Sequence, residues 1–475
     1  MFRGSVATFG VRLISGGFRY GLGILIARTA GTAAFGEFSV GTALLLLLAT
    51  LAAGGAITGV VRFGSTELER AGKGAVGDLL RRERNRTWRR GLILSAGWIA
   101  LGYFAPGIPG SAGSFLTFAG MAASLPFLAV SNVLEAGSRC TGSPRYELLL
   151  RCALQPVMFL ALLGGGHELL PAVPPLALIW GAYAISLAVE LMAAEQIVFR
   201  LFPPAPLLSS PPGPRLGSHF AYEILVVAAA SADLWLIGLL GGPIDAGCYA
   251  AALRTAEIVI VLRGSYQAFL VPAVTKILAR RASGNPEAAG QFDRLAAGAG
   301  RGATLASAAV AIPLVLGAAE ILGLFRGEIV RARSALALLV VVPVVLSYGL
   351  SASAVLLARA PGTLARIRLV EVLATVAGVA LLFPRFGLEG AAAAVGLAAL
   401  IQTALSVRAA HECRSFLTLQ GWSRALAPLA LAAAAAWLAR GSVSLDVPIA
   451  RTLEAIVAGE GALLAGAFFF WKKAL

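Results

Sequence analysis

The sequence predicts an all-α polytopic membrane protein of about fourteen transmembrane helices, built by duplication. Three observations predict it. The chain of 475 residues is 58% hydrophobic and 13% charged, with a mean hydropathy of +0.82, far from the balance of a soluble domain. Its apolar runs reach about 20 residues, enough to cross about 30 Å of hydrocarbon. They are continuous, which argues for helices; a membrane barrel would alternate apolar and polar residues. Finally, Ala30-Gly31-Thr32-Ala33-Ala34-Phe35-Gly36-Glu37-Phe38 returns 211 positions later as Gly241-Gly242-Pro243-Ile244-Asp245-Ala246-Gly247-Cys248-Tyr249. Gly31 maps to Gly242, Gly36 to Gly247 and Phe38 to Tyr249.

The apolar segments fall at 6–28, 37–61, 91–106, 114–137, 148–166, 174–198, 219–240, 247–274, 302–322, 334–357, 367–383, 388–408, 424–439 and 448–470. Abundant Gly and Ala suit helix packing in lipid, where small residues let backbones approach. Charge then orients the bundle. The connection 62–90 alone holds nine Lys/Arg, and one side of the bundle collects 28 of the 39 basic residues against six on the other. Positive residues mark the cytoplasmic side, so the sequence predicts a cytoplasmic-membrane protein with both termini inside. The same bias accounts for the net charge of +15 without nucleic acid. Residues Val76 to Arg90 read as a basic surface helix beside acidic headgroups or as a plain topology anchor.

A second echo pairs Arg139-Cys140-Thr141-Gly142 with Arg359-Ala360-Pro361-Gly362, 220 positions apart. Together the two echoes predict parallel lobes of six spans each, because an even span count returns the chain in the same direction. The expected organisation is an N-lobe at 1–202, a proline-rich cytoplasmic linker at 203–217, a C-lobe at 218–415 and an added span pair at 416–475. The linker holds six prolines, too many for a helix.

Charges inside spans are costly and face a cavity or a partner. Thr8, Arg12, Ser15 and Arg19 form one polar stripe at spacings of 4, 3 and 4. Two arginines on one stripe suit phosphate oxygens, since guanidinium donates paired hydrogen bonds; alternatively, Arg12 snorkels to the surface. Arg254 and Arg263 add cations in span eight, where Glu257 stands three residues from Arg254 and can neutralise it. Asp233 and Glu223 in span seven are candidates for proton or sodium coupling, with structural ion pairing as the competing role. Glu190 and Glu371 are further coupling candidates, and Glu135 has the i,i+4 spacing to pair with Arg139.

Other classes find little support. Four scattered cysteines with no Cys-x-x-Cys, and three histidines, argue against a bound metal. No Walker A sequence, nucleophile elbow or metalloprotease helix appears, so no catalytic residue and no organic cofactor are expected. Arg12 and Arg19 interrupt the first apolar run, unlike a cleavable signal peptide.

The stretch Ile24-Leu25-Ile26-Ala27-Arg28-Thr29-Ala30-Gly31, followed by Phe35-Gly36-Glu37-Phe38, resembles the first hairpin of polysaccharide (O-antigen-type) flippases. Gly54 to Phe63, with Arg62 closing span two, looks like the same family's ending of that span. Phe386-Gly387-Leu388-Glu389-Gly390-Ala391-Ala392 is similar to its later Gly-x-x-Gly-Ala turn. These motifs are short. They point to the multidrug/oligosaccharidyl-lipid/polysaccharide exporter superfamily and, within it, to the polysaccharide branch. The resemblance implies two six-helix lobes in a V around a central cavity, carrying an undecaprenyl-diphosphate-linked oligosaccharide to the outer leaflet by alternating access. It implies a cationic cavity, for which Arg12, Arg19, Arg254 and Arg263 are the local equivalents. Expected partners are the lipid-linked oligosaccharide, membrane lipids, and a polysaccharide polymerase or glycosyltransferase. Competing readings are a multidrug or cation antiporter of the same fold, a peptidoglycan-precursor flippase, a non-transporting scaffold and a membrane-embedded glycosyl transferase.

Overall fold

A computed structural model of the chain describes residues 2–104, 115–141, 146, 148–203, 217–282 and 287–410. The added span pair and all of the linker but its two ends lie outside the described residues, as does the side chain of Arg12. The described residues are helical almost throughout, as the hydropathy predicts. Among the described residues, eight helices are long and apolar enough to cross a membrane by length and composition.

The helices are α1 (Phe2–Ala30), α2 (Thr32–Ala53), α3 (Ala56–Phe104), α4 (Phe115–Ser138), α5 (Gln155–Leu169), α6 (Pro175–Leu201), α7 (Gly217–Leu240), α8 (Gly242–Ala282), α9 (Glu287–Leu316), α10 (Ala318–Gly323), α11 (Arg333–Tyr348), α12 (Leu350–Arg359) and α13 (Pro361–Ala409). A π turn, Leu148–Leu154, leads into α5. Pro156 follows it and has no N–H to close the ordinary helical ladder.

Glycines set the chain reversals. Gly31 between α1 and α2 has φ 93°, and Gly242 between α7 and α8 has φ 80°. A Cβ would be strained in that region, so the two copies of the repeat use one backbone device at equivalent positions. Further breaks lie at Gly54–Gly55, Gly72 and Gly387. The Gly387 break folds α13 into a hairpin, with Gly378 of one arm against Ala394 of the other. The expected spans at 367–383 and 388–408 are these two arms.

The basic helix expected at Val76 to Arg90 is present, and helix covers the whole charged connection 62–90. It is kinked at Gly72 and runs without a break into the third expected span. Charge lowers hydropathy but does not forbid helix, and Arg, Lys and Glu are good helix formers. Val76, Leu79 and Leu80 bury one face of this segment. The second expected span, 37–61, is likewise divided, at Gly54–Gly55.

By contacts the chain divides into Met1–Gly247 and Cys248–Leu475. The first unit packs α3, α4 and α6 around Val76, Leu80, Val130, Val133, Leu134, Val198 and Phe202. Its α2 also packs against α7. Phe38 meets Trp180 at 5.1 Å and Tyr183 at 5.5 Å, edge to face. In the second unit α11 packs against α9 and α13, with Phe325, Ile329, Leu336 and Val340 fully buried.

Within the first unit the two copies of the repeat touch. A Cβ built on Gly36 would strike the Pro243 carbonyl oxygen and lie 2.6 Å from the Gly247 nitrogen. One built on Gly247 would strike the Thr32 carbonyl oxygen and lie 2.9 Å from Thr32 Cγ2. Equivalent glycines thus remove side chains where two helix starts meet.

Candidate functional site: charges held inside the bundle

The break at Gly54–Gly55 leaves the first N–H groups of α3 without intrahelical acceptors. Glu223, on α7, supplies one. Its Oε1 accepts the Thr58 backbone N–H at 2.6 Å. A carboxylate at a helix start is favoured by the dipole as well as by the hydrogen bond. Glu223 is buried, and its Oε2 accepts no hydrogen bond among the described residues. Ten residues further along α7, Asp233 is also buried, with Oδ1 accepting the Leu234 N–H at 2.9 Å.

A second cluster lies between α4 and the π turn. Arg151 donates from one NH group to Asn132 Oδ1 at 2.6 Å and reaches Glu135 Oε2 at 3.5 Å. Glu135 is only 1% exposed, so an ion pair there offsets a large desolvation penalty. The i,i+4 spacing points to Arg139 as a partner of Glu135 within the chain's own run, and Arg151 reaches the same carboxylate from the π turn. Nearby, Gln155 donates to Ser186 at 3.2 Å, and Glu190 is buried one turn beyond Ser186 on α6.

The second unit holds a matching feature. Arg368 donates to Glu371 at 2.5 Å, and their side chains are only 11% and 8% exposed. Glu371 is therefore neutralised by its own helix. The same unit holds further buried polar pairs: Ser307 and Ser347 share a hydrogen bond at 3.0 Å, and Ser351 donates to the Ala296 carbonyl at 2.7 Å.

The candidate arginines divide between the units. Arg19, on α1, is exposed on the first. Arg254 and Arg263, on α8, are half-buried in the second, and Arg254 pairs with Glu257 at 3.1 Å as their spacing predicts. Sequence reasoning missed Arg151, Asn132 and Arg368. A signal for the first existed: Arg151 and Glu371 stand 220 positions apart, the offset that relates Arg139 to Arg359.

One group outside the spans has a shifted acidity. Cys140 lies in the short turn Arg139–Thr141 after α4, and burial pushes its thiol up to about 11. Its Sγ–H donates to the Val60 carbonyl at 3.3 Å.

Helices that reverse at glycines, and buried charges held within them, define a multi-pass α-helical membrane protein. Solved structures share this fold. The chain is similar to the lipid II flippase MurJ in an inward closed conformation, with a TM-score of 0.66 over all of both chains at 10% identity. It is also similar to a multidrug resistance MATE family transporter of the MOP superfamily in an inward-facing conformation. That match has a TM-score of 0.58 at 14% identity, over 89% of this chain and 95% of the other. A Vibrio cholerae MATE transporter, VcmN, matches with a TM-score of 0.60 at 14% identity, over 87% and 97%. No protein-family model and no curated protein sequence matches the chain.

Proposed function

We propose that the protein is a flippase that moves a lipid-linked oligosaccharide, of the undecaprenyl-diphosphate type, across the cytoplasmic membrane by alternating access. The observation that carries this reading is the full-length likeness of the fold to a lipid II flippase. Arginines within the helices suit the same cargo, because a diphosphate needs cations to leave water. Arg12, Arg19, Arg254 and Arg263 hold the diphosphate, and the lipid tail stays in the bilayer. The lobes are 1–202 and 218–415, joined by the cytoplasmic linker, and both termini lie inside. Partners are the glycosyltransferases and polymerase that make and consume the cargo.

Coupling falls to Glu223 and Asp233. Glu223 holds the start of α3 by a hydrogen bond that is strongest when the carboxylate is ionised. Its protonation frees that helix start, which makes it a link between ion binding and helix movement. Glu371 becomes the weaker candidate, because Arg368 already neutralises it; Glu190 stays a candidate through its burial.

A second reading is a multidrug antiporter, favoured by the MATE likenesses, whose TM-scores reach 0.63. Reconstitution separates the two. Vesicles containing the protein should translocate a fluorescent lipid-linked oligosaccharide, and Arg19→Ala or Glu223→Gln should slow this at least tenfold. Efflux of cationic dyes with no lipid translocation would establish the antiporter instead. Inactivity toward both, with a folded protein, would favour the scaffold.

A further inference from the structure

The segment between Gly72 and Phe104 is one uninterrupted helix with two chemistries on one outer face. The i,i+4 row Arg81, Asn85, Arg89, Ile93, Gly97, Leu101 is exposed along its whole length. Arg89 gives way to Ile93, 71% exposed, in a single turn, and Leu92 and Tyr103 are exposed on the same side. That four-residue step rises about 6 Å along the helix. Read as part of the third expected span, an apolar face this bare is covered by lipid chains, which sets the arginines one turn away at headgroup depth.

The arginines of this segment are not equivalent. Arg84 is structural: it pairs with Glu195 of α6 at 3.2 Å and lies over the Phe199 ring at 5.4 Å. Arg86 pairs with Glu83 at 2.6 Å, and Arg82 donates to the Asp78 carbonyl at 3.3 Å. The Arg90 guanidinium lies against Gly54. Arg81 and Arg89 make no hydrogen bond or ion pair among the described residues, and both point from the exposed row.

We propose that Arg81 and Arg89 form a docking strip for the headgroups of anionic phospholipids in the surrounding bilayer. The sign of the charge selects the lipid, and the apolar continuation at Leu92 and Ile93 selects a lipid over a soluble anion, because it takes the acyl chain. The strip stands on the helix face alone and does not depend on what the protein transports.

The test uses the full chain in nanodiscs of phosphatidylcholine doped with spin-labelled phosphatidylglycerol or spin-labelled phosphatidylcholine. The wild type should hold phosphatidylglycerol selectively, and less so as salt rises. Each charge removed in Arg81→Gln/Arg89→Gln should lower that selectivity about fivefold. Arg81→Lys/Arg89→Lys should retain it. Arg326→Gln/Arg385→Gln, which removes equal charge from the second unit, should leave it unchanged. Wild-type selectivity in the glutamine variant, or an equal loss in the second-unit control, overturns the proposal. So does displacement by inorganic phosphate at constant ionic strength, which marks a soluble-anion site. If the glutamine variant fails to fold, selectivity in the wild type that ignores salt is the overturning result.

Discussion

Positions 151 and 371 stand at one register of the internal repeat and carry opposite charges. The same offset of 220 relates Ser131 to Ser351 and Ser186 to Ser406, all buried. Both interiors are therefore polar at matched places, yet they neutralise charge differently. In the first unit Arg151 reaches from the π turn to α4, where Asn132 and Glu135 receive it. In the second, Glu371 is met by Arg368 on its own helix. The first arrangement ties two segments together; the second leaves α13 electrically self-contained. Positions at one register of the repeat can thus carry charges of opposite sign and still satisfy burial, provided a partner arises locally.

The largest expected effect tests that distinction. Arg368→Met leaves the Glu371 carboxylate buried without its cation, and should cost about 3 kcal/mol of stability. Arg151→Met should cost about 1 kcal/mol, because Arg151 is 31% exposed and Glu135 has further interactions. The midpoint of unfolding in mixed micelles measures both. Equal losses would break the comparison. Removing both partners, in Arg368→Met/Glu371→Leu, should return the midpoint close to the wild type, since a well-packed apolar pair avoids the desolvation penalty.

The next effect concerns the glycines that the repeat preserves. Gly36→Ala and Gly247→Ala each push a methyl group into backbone atoms of the other copy. Each should cost about 1–3 kcal/mol. Because they meet at one contact, the double variant should fall short of the sum. Additive losses would mean the two copies are not held together there. Transport read alongside stability sharpens the point, since any movement of these helix starts passes through this contact.

Much of this was legible in the sequence, for physical reasons. Long apolar runs must become helices in lipid, and the glycines of the repeat predicted both their own equivalence and the reversals at Gly31 and Gly242. The pairing of Arg254 with Glu257 followed from helical spacing. The contact of Arg151 with Glu135 did not, because it depends on how the π turn packs on α4. Arg368 was hidden for a different reason. It stands at the edge of the expected span 367–383, where its charge was counted for orientation alone, although one continuous helix carries it and Glu371 three residues apart. That helix covers all of 62–90, beyond the expected Val76 to Arg90, was hidden because hydropathy locates the membrane, not the end of a helix. Which cations line a common cavity is a property of how segments far apart in the chain assemble, and no local pattern carries it.

The smallest effect returns to the second echo, where Cys140 of one copy stands opposite Ala360 of the other. Cys140 is buried, and burial favours the neutral thiol, which raises its pKa to about 11. At pH 8 about a thousandth of it is thiolate, so maleimide should label Cys140 far more slowly than the half-exposed Cys152 in the folded protein. The sign of the pH effect follows. A thiol whose folded pKa lies above its ordinary value of 9.0 adds stability below that value. The contribution fades as pH climbs from about 9 to about 11 and the unfolded chain alone gains from ionisation. Cys140→Ala installs the residue that the other copy already uses. It should cost about 1 kcal/mol, for a lost sulfur contact and a small cavity, and should flatten stability between pH 9 and 11. A variant that keeps the wild-type alkaline slope would place the titration on another group. Rapid labelling of Cys140 at neutral pH would show that this turn opens, and that the likeness of the two copies ends at the ends of their fourth spans.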